Sequence, residues 1–156
     1  MDSKIAKQFI RATSTVFGEI SDLSLTNTEL EFFAEGYRSP ADISVYFTVS
    51  GAFSGQLIIT LDNPMALKLA SASLMGVPVN NFDKIAESAV CELGNMIGGS
   101  AGKRLLEIGF DCDISYPTLK HGKEVDTSAP TFVARFECEW GKLQQILKFA
   151  CSSQIK

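Results

Sequence analysis

Two side chains near the middle of the chain have residue types and a spacing that could do chemistry together. Glu92 and Asn95 lie three residues apart in the run Cys91-Glu-Leu-Gly-Asn-Met-Ile-Gly98, inside a long helical pattern. Residues at positions i and i+3 are neighbours on a helix surface. A carboxylate pairs with cations and accepts hydrogen bonds, whereas a carboxamide both accepts and donates them.

The pattern places this pair on the side of the helix that faces away from the core. At about 100° per residue, Ser88, Asn95 and Gly99 fall within roughly 60° of Glu92 around the helix axis. The apolar residues fall on the opposite side: Ala86, Val90, Leu93, Ile97, Ala101, Leu105 and Ile108. We predict a narrow outward strip of small and polar residues, where Ser88 and Gly99 leave room for a partner backbone. The alternative is an ordinary solvated helix face.

A row of glycines runs along the flank of the same helix. Gly94, Gly98 and Gly102 repeat every four residues. Each costs about 1 kcal/mol relative to alanine in a helix interior. The row therefore indicates close approach of another backbone or tight packing on a neighbouring element, and the sequence leaves both open.

Hydrophobic periodicity predicts three helices that could carry or support this strip. The first spans residues 3–21. The second begins after Asp62-Asn-Pro, with proline near the first helical position, and ends at the left-handed cap Gly76. The third begins at the cap Asp83 and ends near Gly109.

Alternation of apolar and polar residues predicts about five strands. These are residues 43–50, 56–61, 112–116, 131–140 and 143–151, with glycine turns joining the first two and the last two into hairpins. Residues 29–33 are left open between a strand and a helical turn, and 117–130 are predicted to be a loop. Hairpins require antiparallel pairing, and amphipathic helices need a sheet face to cover. The predicted fold is α+β, with two layers in which helices pack on a largely antiparallel sheet.

Composition favours a single soluble domain spanning residues 1–156. Hydrophobic residues make up 46% of the chain, enough for one packed core. The net charge of −4 disfavours nucleic acid as a partner. No segment has the length and apolarity of a signal region or a membrane span. We therefore expect a cytoplasmic protein that binds neither nucleic acid nor membrane.

The cysteines and the histidine do not form a recognisable metal site. Cys91, Cys112, Cys138 and Cys151 include no C-x-x-C pair, so we predict no bound metal and buried free thiols. His121 is expected to be a solvated loop residue. No G-x-S-x-G, Walker or G-x-G-x-x-G motif is present, which removes support for the common hydrolase, kinase and dinucleotide-binding functions.

The run from Phe82 to Met96, Phe-Asp-Lys-Ile-Ala-Glu-Ser-Ala-Val-Cys-Glu-Leu-Gly-Asn-Met, resembles the signature helix of the CheC/CheX chemotaxis phosphatases. The resemblance extends over most of the chain in element order, but it is specific only between about residues 82 and 106. Some members carry two E-x-x-N motifs. Here the first helix has none, because Glu19 is followed three residues later by Asp22. The chain is therefore more similar to the single-site CheX branch.

The resemblance implies hydrolysis of the aspartyl-phosphate of a CheY-type response regulator. Asn95 would orient the attacking water, and Glu92 would anchor the partner through a regulator lysine. General base action by Glu92 is the weaker alternative, because phosphoryl transfer with a loose transition state gains little from early proton removal. No cofactor is expected on this chain, and magnesium is expected in the partner regulator. Two other functions remain open: a non-catalytic module that binds a phosphorylated receiver, and a structural domain in which the pair is merely solvated.

The resemblance to CheX also implies a homodimer. An alternating strand at the edge of an antiparallel sheet presents unpaired backbone groups. We expect residues 131–140 or 143–151 to form that edge, with the Glu92 strip exposed on the helix layer. Each subunit would then offer one site.

Overall fold

The computed structural model describes residues 3–21, 23–27, 30–128 and 130–149. Within them lie three helices at the predicted places, α1 (Ser3–Ser21), α2 (Asn63–Ser73) and α3 (Lys84–Glu107). Helix α2 ends earlier than predicted. Met75 takes the left-handed conformation (φ 61°) one residue before Gly76 (φ 86°), and the chain turns away from the helix axis there.

The described residues contain ten strands, twice the predicted number. They are β1 (Thr26–Asn27), β2 (Glu31–Phe33), β3 (Tyr37–Ser39), β4 (Ile43–Gly51), β5 (Gly55–Leu61), β6 (Cys112–Ile114), β7 (Thr118–His121), β8 (Val125–Thr127), β9 (Thr131–Cys138) and β10 (Gly141–Phe149). Both predicted hairpins, β4–β5 and β9–β10, are present. The open segment at 29–33 contains the strand β2, and its first residue, Glu29, lies outside the described residues.

The prediction of a loop at 117–130 is wrong, because this segment contains β7 and β8. Strand β7 pairs with β4, and β8 pairs with β3 to form a separate two-stranded sheet. Both strands are four residues or shorter. Their local pattern is too short to predict a strand, and distant segments of the chain supply their partners.

The main sheet is antiparallel and runs in the order β1-β9-β10-β5-β4-β6, with β2 also on β9 and β7 also on β4. The prediction that 131–140 or 143–151 forms an exposed edge is therefore wrong. Strand β10 is central, and β9 is covered by the short strands β1 and β2. Among the described residues, the edges are β1 with β2 and β6 with β7. Ala150 and Cys151, at the end of the predicted last strand, lie outside the described residues.

All three helices pack on one face of the main sheet, as predicted for this α+β fold. A single apolar core between helices and sheet includes Phe9 from α1, Leu69 from α2, Leu105 from α3 and Phe47 from β4, each 1% exposed or less. The opposite face is covered by a smaller cluster centred on Ile58, Val125, Val133 and Ile146. The β3–β8 pair therefore adds a small third layer, which the pattern of the sequence did not predict.

The two halves of the main sheet are paired in the same way. Strands β1 and β2 line β9 just as β6 and β7 line β4, and β5 meets β10 at the centre. Along the chain, a long helix precedes each set of five strands, α1 before β1–β5 and α3 before β6–β10. Glu92 and Asn95 lie on α3, whereas the equivalent helix α1 carries no Glu-x-x-Asn spacing. The duplicated fold therefore carries one such pair per chain.

The glycine row of α3 packs against the sheet. A Cβ atom added at Gly94 would lie 3.1 Å from Phe47 Cζ and 3.3 Å from a Val45 methyl, and one at Gly98 would lie 3.3 Å from an Ile114 methyl. Both glycines are buried. Tight packing on a neighbouring element therefore accounts for these two glycines.

This packing predicts opposite responses to the same substitution at two glycines of one helix. Gly94→Ala places a methyl group against buried rings and should incur an overpacking cost of about 1–3 kcal/mol. At Gly99 an added Cβ meets nothing within 4 Å, so Gly99→Ala gains only helix propensity, about 1 kcal/mol. Urea denaturation should therefore rank Gly99→Ala as more stable than Gly94→Ala by at least about 1 kcal/mol. Equal stabilities would contradict the close contact.

Candidate functional site

Helix α3 is fixed at both ends by local hydrogen bonds. At its start, the Asp83 carboxylate accepts from the Ala86 N–H at 2.9 Å, as predicted for a cap. At its end, the Gly109 N–H donates to Leu106 O and the Phe110 N–H donates to Leu105 O, with Gly109 left-handed at φ 94°. This is a Schellman termination. The strip is thus carried by a helix with little freedom to fray.

Glu92 and Asn95 are both exposed on α3. Within the described residues, neither side chain forms a hydrogen bond or ion pair with another residue. The capped helix positions them, and no side-chain partner among the described residues holds them. Both remain available to an external group.

Ser88 and Gly99 lie beside the pair and are exposed as well. The space above Gly99 is open, since an added Cβ would meet no atom within 4 Å. This local geometry provides the room that we predicted for a partner backbone. It does not identify the partner.

The outward face of α3 differs from the prediction in one respect. We expected only small and polar residues there, but Ile85, Met96 and Leu106 are 65%, 42% and 59% exposed. All three fall within roughly 40° of Glu92 around the helix axis. Conversely, Ile108 was assigned to the buried side but is exposed, because it is the C-cap residue, where the helix has already ended. The strip is therefore broader and more apolar than predicted.

Cys91 precedes Glu92 in the chain, and its surroundings favour the neutral thiol. Burial, with a smaller contribution from the Glu87 carboxylate, raises the pKa of its thiol. A neutral thiol is a poor nucleophile at neutral pH, which argues against a phosphocysteine mechanism. Cys91, Cys112 and Cys138 are free, as predicted, but half-buried rather than buried, and Cys151 lies outside the described residues.

His121 is exposed, as expected, but lies in strand β7 rather than in a loop. Its Nε2 lies 3.4 Å from a carboxylate oxygen of Glu87 on α3, and its ring contacts Phe82 edge-on at 5.6 Å. These contacts join β7 to the beginning of α3. No local sequence pattern predicts these contacts, because the pairing of β7 with β4 brings His121 to the helix.

The strip is a helix face and not a cleft. A cavity of about 530 Å³ lies elsewhere, between the β3 segment and the ends of β5, β9 and β10, and none of the strip residues lines it. In the described part of the chain, no three His, Cys, Asp or Glu residues are grouped to hold a metal. No described helix is long and apolar enough to span a membrane. A helix face of this kind suits a protein substrate that brings its own pocket.

The exposure of the pair predicts that it contributes little to folding. Asn95→Ala and Glu92→Gln should leave the free energy of unfolding within about 0.5 kcal/mol of the parent. Asp83→Ala removes the cap of the same helix and should lower it by about 1 kcal/mol. Chemical denaturation of the three variants measures this. A loss above about 1 kcal/mol for Asn95→Ala would make its role structural.

The family model described as chemotaxis phosphatase CheX matches residues 43–139. The CheY-P phosphatase CheX of Thermotoga maritima is 34% identical over 86 residues, which are 55% of this chain and 56% of that protein. The chain thus matches little more than half the length of this relative.

Solved structures share the fold. The chemotaxis protein CheX from Desulfovibrio desulfuricans superimposes with a TM-score of 0.83 at 21% identity, covering 94% of this chain and 99% of that one. The CheX chain of a CheX–CheY–BeF3–Mg complex from Borrelia burgdorferi gives 0.76 at 22% identity, covering 92% and 96%. At such identities the likeness establishes the architecture alone.

Proposed function

The chain belongs to the CheX family of chemotaxis phosphatases, and from this premise we propose that it hydrolyses the aspartyl-phosphate of a CheY-type response regulator. The observation that carries the proposal is the exposed Glu92–Asn95 pair on α3, beside the open space at Gly99. The similar protein of Thermotoga maritima bears the name CheY-P phosphatase, and the similar chain from Borrelia burgdorferi was solved with CheY. We propose a cytoplasmic location for the protein, because a CheY-type regulator would be its substrate.

The substrate itself reduces what the enzyme must supply. An aspartyl-phosphate is an activated acyl phosphate, so no enzyme nucleophile is required. A water oxygen attacks phosphorus, the bond between phosphorus and the aspartyl oxygen breaks, and the aspartate leaves as a carboxylate. The products are inorganic phosphate and the free regulator. Positioning and charge stabilisation account for most of the catalysis of such a step.

Asn95 has the chemistry to position the attacking water. Its carboxamide oxygen accepts a hydrogen bond from the water while its NH2 group donates to a phosphoryl oxygen. A carboxylate at the same position would repel the phosphoryl oxygens. Because α3 is capped at both ends, the carboxamide starts from a rigid backbone, which favours alignment of the water with the leaving aspartate.

Glu92 serves as the anchor in this proposal. It lies one helical turn before Asn95 on the same face, at a distance suited to a second contact on one partner. Its carboxylate would pair with a lysine beside the regulator's phosphorylation site. The regulator's own acidic pocket would hold the magnesium that neutralises charge on the phosphoryl group, and we expect no cofactor on this chain.

A non-catalytic module that binds a phosphorylated receiver is the alternative. The same exposed pair would serve either role, and the two differ in turnover. Phosphate release from a panel of phosphorylated receivers separates them. Receiver binding without accelerated phosphate loss would favour the binding module.

Asn95→Ala should nearly abolish the stimulated loss of phosphate, because the water loses its positioning group. The expected reduction is on the order of 100-fold or more at saturating regulator. Asn80→Ala, which removes an exposed carboxamide before α3, is the matched control and should retain activity. A folded Asn95→Ala protein with undiminished turnover would refute the water-positioning role.

Glu92→Gln should weaken regulator binding more than it lowers the rate of phosphate hydrolysis in the bound complex. An ion pair acts on encounter and retention, whereas Asn95 acts on the reacting water. Saturation kinetics should show a higher half-saturating regulator concentration with turnover largely retained. Glu107→Gln neutralises an exposed carboxylate at the end of α3 and serves as the control. An unchanged half-saturation with a turnover loss equal to that of Asn95→Ala would contradict the anchor.

We also propose that the protein forms a homodimer, although not through the strands first predicted. Paired edges would have to be β1 with β2 or β6 with β7. The β1–β2 edge lies across the sheet from β4, β6 and β7, the strands that α3 contacts, so a dimer formed there leaves one exposed site per subunit. Light scattering at micromolar concentration should give twice the chain mass. A monomeric mass would reject the dimer, and a dimer that binds one regulator would reject independent sites.

A further inference from the structure

The outward face of α3 exposes three large apolar side chains beside the reactive pair. Ile85 is 65%, Met96 42% and Leu106 59% exposed. In the described part of the chain, only eight large hydrophobic residues are at least 40% exposed, and three of them share this one face. Clustered apolar exposure marks interaction surfaces far more often than single exposed residues do.

Helix geometry places two of these residues within reach of anything that engages Asn95. At a rise of about 1.5 Å per residue, Ile85 lies roughly 10 Å from Glu92 and 15 Å from Asn95 along the axis. Met96 follows Asn95 directly, and Leu106 lies roughly 16 Å beyond Asn95. A standard interface buries about 800 Å² on each partner, a patch of about 16 Å radius if it is circular. Such a patch centred between Glu92 and Asn95 covers Ile85 and Met96, which lie roughly 13 Å and 4 Å from its centre along the axis, and leaves Leu106, at roughly 19 Å, outside its margin.

Close to Glu92 and Asn95, the two flanks of the helix face differ in bulk, because Leu106 shares the side of Gly99 but lies roughly 10 Å beyond it along the axis. Ile85 and Met96 lie on one side of Glu92 around the helix, by roughly 20° and 40°. Ser88 and Gly99 lie on the other side by roughly 40° and 20°, and the space at Gly99 is open. A partner can thus bring its backbone close on the small flank while it covers the apolar flank with side chains.

We propose that Ile85 and Met96 are the apolar docking contacts for the phosphorylated receiver, a role that rests on the proposed function. The occupant is the receiver because it must reach Asn95 to be hydrolysed, and an interface of standard size over Glu92 and Asn95 extends over Met96. A second copy of this chain on the same face would bury Asn95 and block the reaction. The receiver surface opposite Ile85 and Met96 should therefore be apolar, next to its acidic phosphorylation pocket.

Ile85→Gln and Met96→Gln test the proposal, since glutamine keeps length and helix propensity but removes the apolar surface. Each should raise the half-saturating concentration of phosphorylated receiver by on the order of five- to thirty-fold. Turnover at saturation should stay within about two-fold of the parent, because neither residue touches the reacting atoms. Leu106→Gln should have a smaller effect.

The chain offers matched controls for both substitutions. Ile108→Gln changes the same residue type at the end of α3, roughly 160° from Glu92, and Met75→Gln changes a methionine that is 94% exposed on the turn after α2. Both should leave half-saturation unchanged. The dissociation constant for a receiver carrying beryllofluoride, a non-hydrolysable stand-in for the phosphoryl group, gives a second measurement. For each of the five variants it should change by the same factor as the half-saturating concentration of phosphorylated receiver.

The outcomes separate this proposal from the function on which it rests. Suppose that the parent hydrolyses the receiver phosphate and that Ile85→Gln and Met96→Gln have the same half-saturating receiver concentration as the parent. The docking contacts are then refuted and the function stands. If the parent hydrolyses none, the function fails, and weaker binding of the two variants to the beryllofluoride receiver still supports docking. A change in molecular mass on Ile85→Gln would assign the face to a second copy and overturn the proposal.

Discussion

The close contact between the glycine flank of α3 and the sheet is the constraint on which the site depends. Gly94 and Gly98 lie where a single added carbon would press on Phe47, Val45 or Ile114. Only the glycine flank can approach the sheet so closely, so the rotation of the helix about its axis is fixed. That rotation puts Glu92 and Asn95 outward. The helix gives up some intrinsic helix propensity at these glycines, and packing on the sheet offsets the loss.

The rigidity of this helix suits a reaction in which positioning is the main task. Asp83 fixes the first turn and a Schellman motif fixes the last. Glu92 and Asn95 lie on an exposed face, where the proposed regulator would bring its own phosphoryl group and metal. Burial raises the pKa of the Cys91 thiol, which disfavours the thiolate that would act as a competing nucleophile. In the proposed function, specificity would come from what surrounds the pair, where Ile85 and Met96 are exposed apolar residues.

The fold repeats its strand pairing in two halves, yet only α3 carries the Glu-x-x-Asn pair. The central contact of β5 with β10 and the flanking short strands make the two halves equivalent in architecture. The core needs apolar residues from both α1 and α3, but it places no demand on their outward faces. The pair on α3 can therefore exist without a counterpart on α1.

The sequence by itself determined the three helices, the two hairpins, the cap at Asp83 and the exposed pair Glu92 and Asn95, because periodicity and capping are local. Tertiary structure alone decided the rest. The strands β7 and β8 have no local signature and form only where β4 and β3 provide hydrogen-bond partners. Strand β9 was predicted as an edge but is interior, since β1 and β2 pair with it across about 100 residues of sequence. No described element packs over the outward face of α3, which leaves Ile85, Met96 and Leu106 exposed. Local sequence patterns do not predict which elements pack against a helix face.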